Sequence, residues 1–520
     1  VNEPQAWLDM YNKYQEETLK SRLQIPLIYG IDAVHGHNNV YGATIFPQNI
    51  GLGATNNSEL VYKISEATSI EVAATGIDWT FSPCLSSPED YRWGRTYEGF
   101  SSDPVLVEKL GKASVQGYQN ALTNSGKKVV ACAKHFIGDG NTEFGTGMRG
   151  LLDRGNTVLS VDELKRKLLP KYQAAIDANV QTIMASYNSW NGVKCHGSKE
   201  LLTDILKVEM GFEGFVISDW QGIDEIPGNY KSDIITSINA GIDMVMVSGK
   251  GQPYKKFMRL LKESVEEGLI PSSRIDDAVS RILKVKLRNG LFENPLVQND
   301  NLQVIGSDNH RNIARQAVRE SVVVLKNEKI IPISKESKSI VVAGRGADNL
   351  GMQCGGWTIN WQGGQGDITI GTTILDGIKK SVSNQTNVIY SKDGSDLGYG
   401  NGDLVIVVIG EDPYTEFFGD KDNLDLLKED IETINNLKNK GYKVLVLLIS
   451  GRPMNIAEHI DNWDGFAAVW LPGTEGDGIS DILFGDFQST GKLSYPWPVN
   501  AEDGANAPEI DLLYSIGFGL

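Results

Sequence analysis

Four apolar runs in the first 220 residues stop at side chains able to do chemistry. IPLIYGID (25–32) ends at Asp32. VVACAKHF (129–136) carries Lys134 and His135, with Asp139 just beyond. TIMASYN (182–188) brings Tyr187, and GFVISDW (214–220) ends on Asp219 and Trp220. Taken singly, a strand-end Asp reads as a helix cap or turn residue, and Lys134 as a solvated charge. If the runs are parallel strands, the same residues converge on one mouth and form a polar pocket. Carboxylates accept hydrogen bonds from pairs of hydroxyls, and indole faces pack on the apolar faces of pyranose rings. That points to sugar handling, and glycoside hydrolysis needs two carboxyl groups, one as nucleophile or base and one as acid.

Other chemistries lack their residues. There is no GxSxG elbow and no Cys–His pair stands out. His35 and His37 in HGHNN have no third ligand nearby in sequence and read as structural. The four cysteines, 84, 132, 195 and 354, form no CxxC or Cys/His metal spacing and no disulfide framework. Cys132, inside an apolar run, reads as a small core residue. GRGADNLG (344–351) lacks the third glycine of a dinucleotide loop. No metal or organic cofactor is implied. The second carboxyl group is not fixed by these residues: Glu411, Glu416 and Glu475 all stand on loops, with Glu475 also suited to holding a turn.

The elements that must position these groups alternate. Strand candidates 25–32, 78–83, 129–136, 182–188, 214–219 and 244–247 (MVMV) are rich in Val, Ile and aromatic residues without clean alternation, as in strands buried on both faces. Amphipathic helices lie between them. Ser160 and Glu163 form a capping box, and Pro170 breaks or restarts that helix. The helix of 273–290 is predicted to bury Ile275, Val279, Ile282 and Leu283 and to stop at Gly290. Repeated strand–helix units imply a parallel sheet. Over 1–292 this predicts a (β/α)8 barrel lacking its N-terminal start, since six strands fall short of eight. A doubly wound open sheet is the runner-up. Residues 293–309 read as a linker. A second α/β block follows over 310–520, with strands at 339–344, 387–391, 403–410, 443–450 and 465–470.

At 520 residues the chain is too long for one ordinary core. Its 41% hydrophobic and 22% charged residues fit a soluble globular protein, and no apolar run is long enough to span a membrane. The net charge of −17 argues against nucleic acid as a partner. The chain starts at Val1 without a visible signal peptide, which leaves the compartment open between secreted, periplasmic and cytoplasmic. Oligomeric state is not readable.

Eight stretches in order carry a resemblance: YGIDAVHGHNNVYGATIFPQNIGLGAT, RWGRTYEG, ACAKHFIGDG, ASYNSWNGVKCH, GFVISDWQGID, GGWTINWQG, GEDPYTEFFGD and WLPGTEG. From about residue 20 to the C-terminus the chain resembles glycoside hydrolase family 3, in its β-glucosidase and β-D-glucan exohydrolase branch. The resemblance implies a barrel followed by an α/β sandwich domain, and a retaining, exo-acting hydrolase of β-linked glucosides or gluco-oligosaccharides. It implies Asp219 as nucleophile and Glu416 as acid/base delivered by the second domain. It also implies that Asp32, Arg95, Lys134, His135, Met184 and Tyr187 line the glucose subsite, and that Trp220 and Trp361 sandwich the next ring. A retaining mechanism then wants Asp219 ionised and Glu416 with a raised pKa. Alternatives within the family are a β-xylosidase or another glycosidase. β-N-Acetylglucosaminidases carry an Asp–His dyad after the Lys–His strand, and residues 137–150 contain no His. Outside catalysis, the alternative is a sugar-binding protein of weak activity.

Three departures from the plant-type pattern stand out. EFGTGMRG (143–150) replaces a stretch with a Glu near the site, putting Met148 or Arg149 in its place. Glu225 stands where that branch has an Arg. The segment that supplies the start of the barrel in the family does not appear before Val1, which leaves either a numbering that starts late or an incomplete barrel. The first two bear on linkage and chain-length preference.

Overall fold

In the computed structural model, which describes residues 2–123 and 126–520, the apolar runs of the first half form short strands joined in chain order. These are β1 (Gly30–Ile31), β2 (Trp79–Thr80), β3 (Cys132–Phe136), β4 (Thr182–Ala185) and β5 (Phe215–Ile217). β1 pairs with β2, β3 with β4 and β4 with β5, all parallel. Parallel bridges Trp79–Val130 and Ile217–Met244 extend the series at both joints. The expected strand 244–247 is therefore a single bridge, and its methionines face the cavity described below.

Both strand faces are buried, which is why these runs do not alternate with polar residues. Ala131, Ala133, Ile183, Ala185 and Val216 pack outward against helices. Cys132, Met184, Phe215 and Ile217 pack inward. Period two then sends Lys134 and Asp219 to the inner side, beyond the inner apolar layer. The helix Ser272–Arg288 packs beneath this layer, but through Ala278 and Val285, with Val279 left exposed. Of the predicted face, Ile275 and Ile282 pack partly buried against core clusters and Leu283 is half-buried, so only Val279 is misplaced; Gly290 does terminate the helix, at φ +71°. The Ser160–Glu163 capping box is present, and Pro170 opens a new helix, Leu169–Asp177.

The second half is a six-stranded sheet. Its strands are β6 (Val323–Asn327), β7 (Ser339–Ala343), β8 (Asn387–Ser391), β9 (Leu404–Gly410), β10 (Lys443–Ile449) and β11 (Gly465–Trp470). The order is β8-β7-β9-β10-β11-β6, parallel throughout except for β6 against β11. β6 was not anticipated: its apolar run follows directly on the helix Asp308–Ser321. The stretch read as a linker is packed. It holds a 3-10 helix, Asn299–Val304, and Asn12 donates to the carbonyl of buried Val297. Among the described residues, no helix is long and apolar enough to cross a membrane.

Candidate active site

The ten catalytic and sugar-binding residues that the resemblance implies all line one cavity of about 660 Å³ between the two halves. Its floor is the inner side of β1–β5. Lys134 Nζ lies 3.2 Å from Asp32 Oδ1. Arg95 donates Nε and Nη2 to the two oxygens of Glu98, each at 2.9 Å, and Nη2 also lies 3.0 Å from His135 Nε2. His135 Nδ1 is 2.7 Å from Asp139 Oδ2. Met184 adds an apolar face, and the Tyr187 hydroxyl donates to the Trp220 carbonyl.

Asp219 is held by its own backbone. The Trp220 N–H donates to Oδ1 at 2.6 Å, and the Asp219 N–H donates to His196 Nε2 at 3.0 Å. Oδ2 is buried without a hydrogen-bond partner, 3.6 Å from His135 Nε2. Burial pushes this carboxyl up, but the electrostatic influence of the neighbouring His135, Arg95 and Lys134, with the Trp220 amide, holds it below the usual range.

Glu416 reaches the cavity from the loop after β9, in the single 3-10 turn Glu416–Phe418. Its φ of +49° is in the left-handed region, which costs a residue with a Cβ about 1 kcal/mol. The turn is held by the Gly419 N–H donating to the Glu416 carbonyl at 2.8 Å. That carbonyl also presses on Gly94, where any Cβ would stand 2.2 Å from the oxygen. Burial raises the Glu416 pKa; Asp219 adds to this, while Arg95 and Arg154 oppose it.

The three carboxylates left open by the sequence separate here. Glu411 is consumed by Arg452, Lys421 and Tyr414; burial alone would raise it, but these partners bring it down to about 2. Glu475 accepts from Arg311 at 2.7 Å and from Thr474 at 3.0 Å. Glu416 alone of the three lines the cavity.

The sequence profile of the glycosyl hydrolase family 3 N terminal domain matches residues 1–285, and that of the family's C-terminal domain matches 322–520. The chain belongs to glycoside hydrolase family 3. It is 33% identical to a lysosomal beta glucosidase of Dictyostelium discoideum, over 96% of this chain and 64% of that protein. It is 31% identical to a beta-xylosidase of Formosa agariphila, over 93% of this chain and 70% of that one. The crystal structure of an exo-1,3/1,4-beta-glucanase from a Pseudoalteromonas species matches with a TM-score of 0.92 at 39% identity, over 100% of this chain and 67% of that chain. The chain thus spans about 64% of the length of the Dictyostelium relative.

In and behind this family 3 cavity several residues were not anticipated. Glu98, buried behind the lining and holding Arg95, was legible, three residues after it in RTYEG. Trp357, whose Nε1 donates to Glu98 Oε1 at 3.1 Å, sits four residues before Trp361. Arg154 had no sequence signal. It lines the cavity, whereas Met148 and Arg149, named from the sequence as near the site, are not in its lining. A small sheet of 156–157, 189–190 and 193–194 braces its loop. Trp220 and Trp361 are 61% and 43% exposed, so indole surface stands open at the mouth. Trp361 packs edge-on against Phe418, with ring centres 5.6 Å apart. Cys84, His135 and Asp139 bring potential ligand atoms within 4.8 Å of one another. These atoms already have partners: Cys84 bonds to Ser86, His135 to Asp139, and burial pushes the thiol up to about 12.

Proposed function

We propose that this chain is a retaining, exo-acting glycoside hydrolase that releases glucose from the non-reducing end of β-glucosides, β-gluco-oligosaccharides or β-glucans. The observation that carries this reading is a pair of carboxyl groups in one cavity with opposite tendencies. Asp219 is held ionised with a bare oxygen, and Glu416 is biased toward its protonated form. Two titratable groups pushed apart in this way suit nucleophile and acid.

In the first step Asp219 Oδ2 attacks the anomeric carbon. The glycosidic C–O bond breaks, and the Glu416 proton goes to the departing oxygen. A glycosyl ester on Asp219 results. In the second step Glu416, now a carboxylate, takes a proton from water. The water oxygen bonds to the anomeric carbon, and Asp219 leaves as the carboxylate. Asp32, Lys134, Arg95 and His135 would hold the hydroxyls of the terminal glucose over Met184 and Tyr187, with Trp220 and Trp361 on the next ring. In this reading 1–292 is a (β/α)8-type barrel, 293–309 the connection and 310–520 the α/β sandwich domain. The parallel β1–β5 series, with its polar residues at the C-terminal strand ends, supports it.

Proton NMR of aryl β-D-glucoside hydrolysis tests the reading. β-Glucose appearing before mutarotation supports it; α-glucose would mean inversion and would recast Asp219 as a base. The beta-xylosidase relative favours a second reading, an exo-β-xylosidase. The same assay with an aryl β-D-xyloside separates the two by kcat/KM.

A further inference from the structure

The loop that carries Glu416 is fastened at one point by a side chain of its own. Asp420, four residues on and 7% exposed, turns its carboxylate away from the second half. Oδ1 accepts the Gly94 N–H at 2.7 Å. Oδ2 accepts the N–H groups of Asp153, at 2.7 Å, and of Leu152, at 3.1 Å. All three donors lie on two loops of the first half, beside Arg95 and Arg154. Those two arginines are the cations that act on Glu416. Around this point the Lys421 N–H donates to the Arg92 carbonyl at 3.1 Å, and Arg452 Nη2 donates to the Gly419 carbonyl at 2.6 Å.

We propose that Asp420 is a positioning residue for Glu416, setting where the carboxyl stands relative to the leaving oxygen. The proposal rests on the reading of Glu416 as acid/base given above. Three charge-assisted bonds to backbone N–H groups fix both ends of the contact, because neither donor loop can follow a side-chain rotation. Without them three buried N–H groups lose their acceptor, and the local remedy is for the loop to lift and admit water. Glu416 sits in a backbone conformation that a free loop would abandon, so lifting the anchor displaces the acid first.

The test exploits leaving-group chemistry. An acid matters for expelling an alkoxide and hardly at all for expelling a dinitrophenolate. Wild type, Glu416→Gln, Asp420→Asn and the double variant are compared on methyl and dinitrophenyl β-D-glucosides. In Asp420→Asn, kcat/KM on the methyl glucoside is expected to fall roughly tenfold or more, part of the 10²–10⁴-fold that general acid catalysis supplies. On the dinitrophenyl substrate it stays within about threefold of wild type, as expected when only the acid is displaced. In the Glu416→Gln background the change at Asp420 adds little, as for two residues acting as a unit. Equal losses on both substrates in Asp420→Asn, with Glu416→Gln still selective, would overturn the positioning role alone. Equal losses in Glu416→Gln would overturn the acid assignment and the positioning role with it. If Asp420→Asn does not fold, Gly94→Ala is read by the same criteria, since its added Cβ would stand 2.2 Å from the Glu416 carbonyl oxygen and 2.7 Å from the Asp420 nitrogen and so force apart the contact that Asp420 makes with the Gly94 N–H.

Discussion

Arg154 joins two carboxylates: its Nη2 lies 3.3 Å from Glu416 Oε2, and its Nη1 bonds Glu225. Lys194 holds the other oxygen of Glu225 at 3.0 Å, and the Arg154 guanidinium carbon lies over Tyr187, 3.8 Å from the ring centre. Glu225, read from sequence as one of three departures from the plant-type pattern, is therefore one member of a group of paired charges. Arg154 divides its charge between Glu225 and Glu416.

In the proposed mechanism, that division sets the alkaline limb of the pH profile. Arg154 lowers the Glu416 pKa against burial and Asp219. Replacing Arg154 by Gln removes a cation, keeps Glu416 protonated to higher pH and moves the alkaline limb of kcat/KM up. Glu225→Gln frees Arg154 for Glu416 and moves that limb down. Shifts of the same sign in both variants would refute the sharing.

In the proposed mechanism, the acidic limb belongs to Asp219, whose pKa lies below the ordinary carboxylate range. Activity is expected to persist well into acid before this group protonates. Asp219→Asn should lose on the order of 10³-fold or more in kcat, the scale seen when a nucleophile is removed. Single-turnover kinetics should detect no glycosyl ester in that variant.

Phe418 supports Trp361 rather than the reacting atoms. Removing an edge-on aromatic neighbour costs roughly 0.5–1.5 kcal/mol, a roughly 2–10-fold effect. Phe418→Ala is expected to raise KM for a disaccharide by that factor with kcat nearly unchanged. An equal KM rise for methyl β-D-glucoside would place the effect elsewhere.

The Glu411–Arg452 pair predicts an acid-dependent stability. Arg452 is fully buried, and it also donates to the carbonyls of Tyr91 and Gly419. Glu411 titrates at about 2 folded against an ordinary 4.5. A depressed folded pKa contributes stability that is complete above the unfolded value and disappears as pH falls through the folded one. Denaturant midpoints should therefore drop between about pH 4.5 and 2, and Glu411→Gln should flatten that slope. Breaking a buried pair on one side should also cost about 3–5 kcal/mol near neutrality.

Strand positions and strand-end chemistry were legible because burial on both faces leaves a plain apolar run, and inward polar residues interrupt it only at its end. β8 and β11 match the expected bounds, 387–391 and 465–470. The weaker readings failed where a local pattern has two solutions. MVMV resembles a strand, yet its methionines line a cavity. In 273–290 a shift of one residue exchanges Val279 for Ala278. Arg154 and Asp420 were illegible for a different reason. Each sits on an irregular loop, and its partners, Glu416 for one and Gly94 and Asp153 for the other, lie more than 250 residues away. Only the docking of the two halves brings them together.

That docking has a thermodynamic corollary. Trp220 comes from one half and Trp361 from the other, and Asp219 and Glu416 divide in the same way. A guest touching both walls is a reversible cross-link: neither half can melt away from the other without first expelling it. Glucose or a tight inhibitor should raise the melting temperature in step with the logarithm of its concentration. It should also fuse any separate melting of the halves into one transition, so the sugar supply would govern how long the fold survives as well as how fast it works.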